Sequence, residues 1–116
     1  MRKTIMIADV PVPLKATAAT RYKYEAYFGR KLMKDLSTSL GELKSAESAE
    51  GKSVDEAYDT ITRLLYIMAK QANPSIPDDM VEWLDEFDSF PYEDFANDVI
   101  TFWYSSMQTT VAPKNV

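Results

Sequence analysis

Carboxylates are the main candidates for chemistry in this chain, because the sequence contains no histidine and no cysteine. These absences exclude an imidazole base, a thiol nucleophile, disulfide bonds and the usual zinc sites. The carboxylates concentrate between residues 78 and 98, in runs such as Asp78-Asp79 and Asp85-Glu86-Phe87-Asp88. A calcium loop needs oxygen ligands on alternate residues, a glycine at the turn and a final glutamate, and neither run has that order. We therefore predict solvated helix faces, with no catalytic, metal-binding or cofactor-binding residue.

The same region is rich in aromatic side chains. A single stretch of 22 residues includes Trp83, Phe87, Phe90, Phe95, Phe102, Trp103 and Tyr104. Most should pack the core, but two short helices cannot bury all of them, and Phe90 and Tyr104 fall outside the main apolar stripes. Aromatic and methionine side chains are typical anchors for partner helices. A rim of carboxylates around such anchors would suit a basic, amphipathic helical partner.

Length and composition indicate one soluble, intracellular domain. The 116 residues are 46% hydrophobic, which is enough apolar material for a single core. The longest apolar runs are too short to span a bilayer, and the first residues lack a signal-peptide pattern. Residues 1–70 carry 12 basic and 9 acidic residues, whereas residues 71–113 carry 9 acids and no base. This distribution argues against nucleic acid as a partner.

A β-hairpin is predicted over residues 3–16. Ile5 and Ile7 fall on one face of the first strand, and residues 8–10 form the turn, although the glycine of the commonest tight hairpins is missing. The second strand contains two prolines spaced two apart, so both missing N–H groups belong to the same edge. The prolines therefore predict an outer strand, protected against pairing with other chains.

A helix is predicted over residues 18–40, beginning between the two suitable N-caps Thr17 and Thr20. Gly29 is expected to bend or break it. In the run Arg21-Tyr22-Lys23-Tyr24, helical spacing turns Tyr24 inward and the charges outward, so stacking on single-stranded nucleic acid is the weaker interpretation. Asp35 is expected on the exposed side, one turn from Lys31. The small, polar residues 41–52 predict a mobile loop.

Three further helices are predicted over residues 54–73, 78–87 and 92–108, before a frayed tail over residues 109–116. The first is the core helix, with Ser53 and Glu56 in capping-box spacing. Its apolar residues recur in steps of three and four: Val54, Ala57, Tyr58, Ile61, Leu64, Leu65, Met68 and Ala72. Together these elements predict a mainly α, α+β domain, in which an N-terminal β-hairpin precedes four to five helices.

Five segments of the chain, in order, resemble the tail assembly chaperones of long-tailed bacteriophages of Gram-positive hosts. They are VPLKATAAT (residues 12–20), FGRKLMKDL (28–36), YIMAKQA (66–72), EWLDEF (82–87) and TTVAPK (109–114). The resemblance spans nearly the whole chain, and none of these segments is a catalytic signature.

The resemblance implies a non-enzymatic role in virion or prophage tail assembly. Such proteins bind the long, helical tape measure protein, keep it soluble while tail tube subunits gather, and leave before the tail is complete. The implied location is the host cytoplasm, and the implied partners are the tape measure protein, the major tail tube protein and further copies of the chain, without nucleic acid or membrane. Many members also have a frameshifted longer form. The expected partner-binding residues are Trp83, Phe87, Phe90, Tyr104 and Met107, with Asp85 and Glu86 on the rim.

Two other functions compete with this one. The chain could be another small acidic interaction module, such as an inhibitor that mimics nucleic acid and binds a basic enzyme. Such a mimic needs exposed carboxylates in a row at about the spacing of phosphates. The third possibility is a hydrolase that uses only carboxylates and Mg²⁺, which a metal titration would detect as a thermal shift.

Overall fold

The computed structural model describes residues 1–45 and 54–108 and has the predicted α+β architecture. A two-stranded antiparallel hairpin is followed by five helices, which together enclose one core. The elements are β1 (Arg2–Ile7), β2 (Val10–Lys15), α1 (Ala19–Phe28), α2 (Leu32–Ser45), α3 (Val54–Ala72), α4 (Met80–Leu84) and α5 (Tyr92–Met107).

Helix α3 is the centre of this core. The predicted stripe through Ile61, Leu64 and Met68 is buried, but so are Tyr66 and Ile67 on the other faces. All of residues 64–69 are buried, and six consecutive residues cover more than one full helical turn. Helices α1, α2 and α5 and strand β2 pack around it. The periodicity therefore predicted the helix correctly, although α3 is enclosed on every side over this stretch.

The hairpin covers one side of the core through a single apolar face. In the register, Ile5 lies opposite Val12 and Ile7 opposite Val10, and the inward-facing residues Ile5, Ile7, Val12, Leu14 and Ala16 are buried. Pro11 and Pro13 occupy the alternate positions, where a nitrogen points away from the partner strand. The turn consists of two residues, Ala8 and Asp9, rather than the three predicted, because Val10 already pairs with Ile7.

Helices α1 and α2 are separated at the predicted glycine. Gly29 adopts a left-handed conformation with φ 66°, and its N–H donates to the Glu25 carbonyl, which ends α1. At the start of α1, the Thr17 hydroxyl accepts from the Ala19 N–H, and the Thr20 hydroxyl accepts from the Thr17 N–H. The predicted loop over residues 41–52 is wrong at its beginning, since α2 continues to Ser45. The rest of that loop, the Ser53 cap and the tail over residues 109–116 lie outside the described residues.

Helix α4 is shorter than the predicted helix over residues 78–87. Its N-cap is Asp79, whose carboxylate accepts from the Glu82 N–H at 3.1 Å. At the other end, the Glu86 and Phe87 N–H groups bond to carbonyls three residues earlier. Such bonds tighten the last turn and do not propagate an α-helix, so residues 85–87 form a turn.

The turn between β1 and β2 offers a stabilising substitution. Ala8 and Asp9 have φ values of 48° and 74°, a pattern that asparagine and glycine adopt more easily than alanine and aspartate. We expect the double variant Ala8→Asn, Asp9→Gly to raise the free energy of unfolding by about 1 kcal/mol. Thermal and urea unfolding measure this, and Gly29→Ala is the control that should destabilise the chain, because it places a Cβ on another left-handed residue.

Candidate partner-binding surface

The seven residues predicted to bind a partner differ in their exposure. Trp83 is only 3% exposed, whereas Met107 is 49% exposed. The remaining aromatic rings, Phe87, Phe90 and Tyr104, are half-buried against the core, and the two acids Asp85 and Glu86 are exposed. Trp83 therefore lies beneath its neighbours, and a partner could reach only the other predicted residues.

The structure does not bring these seven residues together. The Phe90 ring lies 4.9 Å from that of Phe95, at the beginning of α5. Met107 is the last residue of the same helix, twelve residues or about 18 Å further along. The Phe87 and Phe90 rings and the Met107 side chain consequently belong to two separate regions, one at each end of α5.

A continuous chain of ring contacts leads from the core to the first region. The Trp83 ring contacts Tyr66 of α3 at 5.7 Å and Phe87 at 5.1 Å, and Phe87 contacts Phe90 at 5.5 Å. All three contacts are edge-on or tilted, the arrangement that aromatic quadrupoles favour. The half-buried rings of Phe87 and Phe90 are therefore held in place by the core.

The rings end at a surface that we call the aromatic–acidic surface, defined by Tyr58, Phe87, Phe90, Tyr92, Glu93 and Asp94. A shallow pocket of about 270 Å³ lies between most of these residues. The Tyr58 and Tyr92 rings stack 4.8 Å apart, which joins α3 to the beginning of α5. Burial, together with the Glu93 charge, raises the pKa of the Tyr58 phenol. Tyr58, Tyr92, Glu93 and Asp94 were not among the predicted site residues, since only the fold places Tyr58 beside α5.

Several polar contacts position α4 and the turn after it. The Tyr27 hydroxyl donates to the Asp78 carbonyl at 2.7 Å and accepts from the Met80 N–H. The Tyr66 hydroxyl donates to the Pro77 carbonyl at 2.6 Å, and burial raises the pKa of Tyr66. Lys70 forms an ion pair with Asp78 at 2.7 Å. These contacts tie the chain before α4 to α1 and α3, and so fix where Trp83 and Phe87 lie.

The second region is a groove that we call the Trp103 groove. It has a volume of about 440 Å³ and is lined by Thr17, Ala18, Arg21, Tyr22, Met33, Trp103, Ser106 and Met107. These residues come from the beginnings of α1 and α2 and the end of α5. Of the predicted site residues, Met107 alone is part of its lining.

A buried polar network was missed by the sequence prediction, which placed Asp35 on an exposed face. Asp35 is only 8% exposed and accepts hydrogen bonds from Arg30, at 2.7 and 3.1 Å, and from the Tyr24 hydroxyl at 2.7 Å. Arg63 of α3 donates to the Tyr24 oxygen and lies 3.7 Å from the Asp35 carboxylate. The prediction was wrong because it considered α2 alone, whereas the partners come from α1, α3 and the α1–α2 connection.

This network controls the protonation of its members. Burial alone would raise the pKa of Asp35, but the hydrogen bonds from Arg30 and Tyr24 and the two guanidinium charges outweigh it, so the pKa lies below its ordinary value. Burial also raises the pKa of Tyr24 to about 12, with opposing contributions from Arg63 and Asp35. Asp35 is therefore charged and Tyr24 neutral at physiological pH, and the network joins α1, α2 and α3.

We expect Asp35→Asn to lower the free energy of unfolding by about 2 kcal/mol at pH 7, because Arg63 keeps a mostly buried charge without its counter-ion. The half-exposed Arg30 contributes little to this loss, since water screens it. Urea unfolding of Asp35→Asn and of the exposed control Lys34→Gln measures the difference, and the control should change by less than about 0.5 kcal/mol.

The difference in free energy of unfolding between wild type and Asp35→Asn should depend on pH. The pKa of Asp35 is lower in the folded protein than in the unfolded chain. Its contribution to the free energy of unfolding is therefore complete above the unfolded-state pKa of about 4, and it is lost as the pH falls through the folded-state pKa. The gap between wild type and Asp35→Asn should therefore be constant from about pH 5 to 8 and shrink below about pH 4. A gap that does not change with pH would contradict a role for the carboxylate charge.

Comparisons with known proteins give no relative for this fold: no family model, curated protein or solved structure matches the chain. Within residues 1–45 and 54–108, no three acidic side chains are grouped so that they could hold a metal ion. In the same ranges, no helix has the length and apolar character that a bilayer crossing requires.

Proposed function

We propose that this chain is a non-enzymatic assembly chaperone, which binds a helical segment of a phage tape measure protein and keeps it soluble while the tail tube is built. The segment docks on the aromatic–acidic surface. The chaperone acts in the host cytoplasm and leaves before the tail is complete. The resemblance of five segments to tail assembly chaperones suggests the client, and the chemistry of the surface supports the mode of binding.

The observation that carries the proposal is the combination of half-buried rings with exposed carboxylates. Phe87, Phe90, Tyr58 and Tyr92 present apolar area that the core does not fully cover. Glu93 and Asp94 are exposed beside them, and Asp85, Glu86 and Asp88 are exposed in the preceding turn. A helix with apolar residues on one stripe and lysines or arginines along its flanks fits both features.

The geometry also suits a client that must be released. The four rings are already partly buried, so docking removes less apolar surface from water than it would from fully exposed rings. The carboxylates keep most of their water and contribute mainly to the association rate and to the choice of partner. An affinity in the micromolar range, or about −8 kcal/mol, is expected for such a surface.

Phe90 lies at the centre of the ring contacts, so its removal is the most direct test. The probe is an amidated amphipathic peptide about 18 residues long, or five helical turns, with leucine and phenylalanine on one face and lysine on the other. We expect Phe90→Ala to weaken its binding at least about tenfold in calorimetry, because a central anchor ring is lost. Met6→Ala, which removes an exposed apolar side chain from β1, outside both surfaces, is the matched control and should bind as wild type does.

Phe90→Leu keeps most of the apolar volume, so its affinity for the peptide should lie between those of wild type and Phe90→Ala. This variant separates loss of the ring from a folding defect in the alanine variant. The same variants are then co-expressed with the tape measure protein, whose soluble fraction should fall with Phe90→Ala and not with Met6→Ala. Unchanged solubility with a folded Phe90→Ala protein would remove the proposed docking site. If pull-down instead captures a basic enzyme directly, the chain is an inhibitor and not a chaperone.

The exposed carboxylates of the aromatic–acidic surface give a second prediction. Glu93→Lys should slow association with the lysine-bearing peptide and flatten the dependence of affinity on salt, because the charge beside the pocket is reversed. Asp98→Lys changes the net charge by the same amount at an exposed position five residues further along α5 and should have a smaller effect. Stopped-flow binding at two ionic strengths measures both, and equal effects would mean that only net charge matters.

A further inference from the structure

We propose that the Trp103 groove is a second binding site, which takes a peptide segment of a partner protein carrying a carboxylate beside apolar side chains. The groove and the aromatic–acidic surface lie at opposite ends of α5 and have opposite charge preferences. The proposal therefore stands without the chaperone function.

The first observation is a pair of hydrogen-bond donors that the protein leaves unused. In the part of the chain that the structure describes, two buried side-chain polar atoms have no hydrogen-bond partner, the Trp103 Nε1 and the Arg21 Nε. Both residues line the same groove. Trp103 is 3% exposed, and a buried donor without an acceptor is unfavourable relative to one that is paired. A ligand that brings an acceptor would form the hydrogen bond that these donors lack in the free protein.

The second observation is the sign of the charge around these donors. None of the eight lining residues is acidic, although the whole chain has a net charge of −5. The Arg21 guanidinium is partly offset by Glu25, whose carboxylate lies 3.7 Å from Nε, beyond ordinary hydrogen-bond length. The beginning of α1 also lines the groove at Thr17 and Ala18, and the first turn of α1 has no acidic residue. The positive end of the helix dipole therefore adds to the preference for an anion.

The other polar groups of the groove are already engaged within the protein. The Ser106 hydroxyl donates to the Trp103 carbonyl at 2.6 Å. The Thr17 hydroxyl accepts from the Ala19 N–H and from the Gln71 amide. The Tyr22 hydroxyl accepts from Arg21 Nη2 at 3.0 Å. What remains available to a ligand are donors, so the ligand must supply acceptors, and a carboxylate is the strongest of these.

The walls of the groove explain why the ligand should also be apolar. Tyr22 is 61% exposed, Met107 is exposed, and Met33 is half-buried against the core. Methionine side chains are unbranched and adapt to different neighbours. Because the Trp103 N–H has no contact with water in the free protein, binding must open a path to it, and side chains of this kind can move at low cost.

The test uses three acetylated and amidated peptides that differ in one residue type: Leu-Glu-Leu-Glu-Leu and the matched peptides with glutamine or lysine in place of glutamate. Calorimetry with the full chain should show that the glutamate peptide binds at least about tenfold more tightly than the glutamine peptide. The lysine peptide suits the aromatic–acidic surface instead, so it should leave the Trp103 indole N–H signal of ¹⁵N-labelled protein unmoved. Arg21→Gln should abolish this preference. Lys23→Gln, which removes a charge from an exposed position of the same helix, should retain it.

A spectroscopic readout separates binding in the groove from binding elsewhere. In ¹⁵N-labelled protein, the Trp103 indole N–H signal should move downfield with the glutamate peptide, because it gains an acceptor, while the Trp83 signal should not move. Equal affinity for the glutamate and glutamine peptides, or a Trp103 signal that does not move when the glutamate peptide saturates the protein, would overturn the proposal. Concentration-dependent self-association that Arg21→Gln abolishes would also overturn it, by assigning the groove to a second copy of the chain.

Discussion

The constraint on which this structure depends is that α3 has no solvent-facing side over residues 64–69. A helix so enclosed requires neighbours on every side, and this small chain uses α1, α2, α5 and the hairpin to supply them. The hairpin covers one side with five small or branched apolar residues, and α1, α2 and α5 cover the rest. Both candidate surfaces lie at ends of α5: the aromatic–acidic surface is where its beginning meets α3, and the Trp103 groove is where its end meets α1 and α2.

The aromatic–acidic surface shows how a core can extend to the outside. The rings from Tyr66 through Trp83, Phe87 and Phe90 form one connected series, whose inner members are buried and whose outer members are half-exposed. A ring at the end of such a series has few alternative rotamers, because its neighbours fix it. Docking of a partner there would therefore cost this chain little side-chain entropy.

Local patterns in the sequence were sufficient to predict the order of the secondary-structure elements. They were insufficient to predict the buried Asp35 network and the Trp103 groove. Alternation predicted the hairpin face at Ile5 and Ile7, three-and-four spacing predicted α3, and Gly29 predicted the break before α2, since each depends on residues close in sequence. Burial of Asp35 depends on Arg63, 28 positions away, and so could not be read from α2 alone. For the same reason the groove around Trp103 was not predicted, since its walls come from three helices.

The prolines of β2 make the two edges of the small sheet different in their hydrogen-bonding capacity. Pro11 and Pro13 stand at positions that face away from β1, so the outer side of β2 lacks the donors that another strand would need. The corresponding positions of β1, Thr4 and Met6, keep their N–H groups. Strand addition by another chain could therefore produce a regular ladder only beside β1, and two copies could not join through their β2 edges.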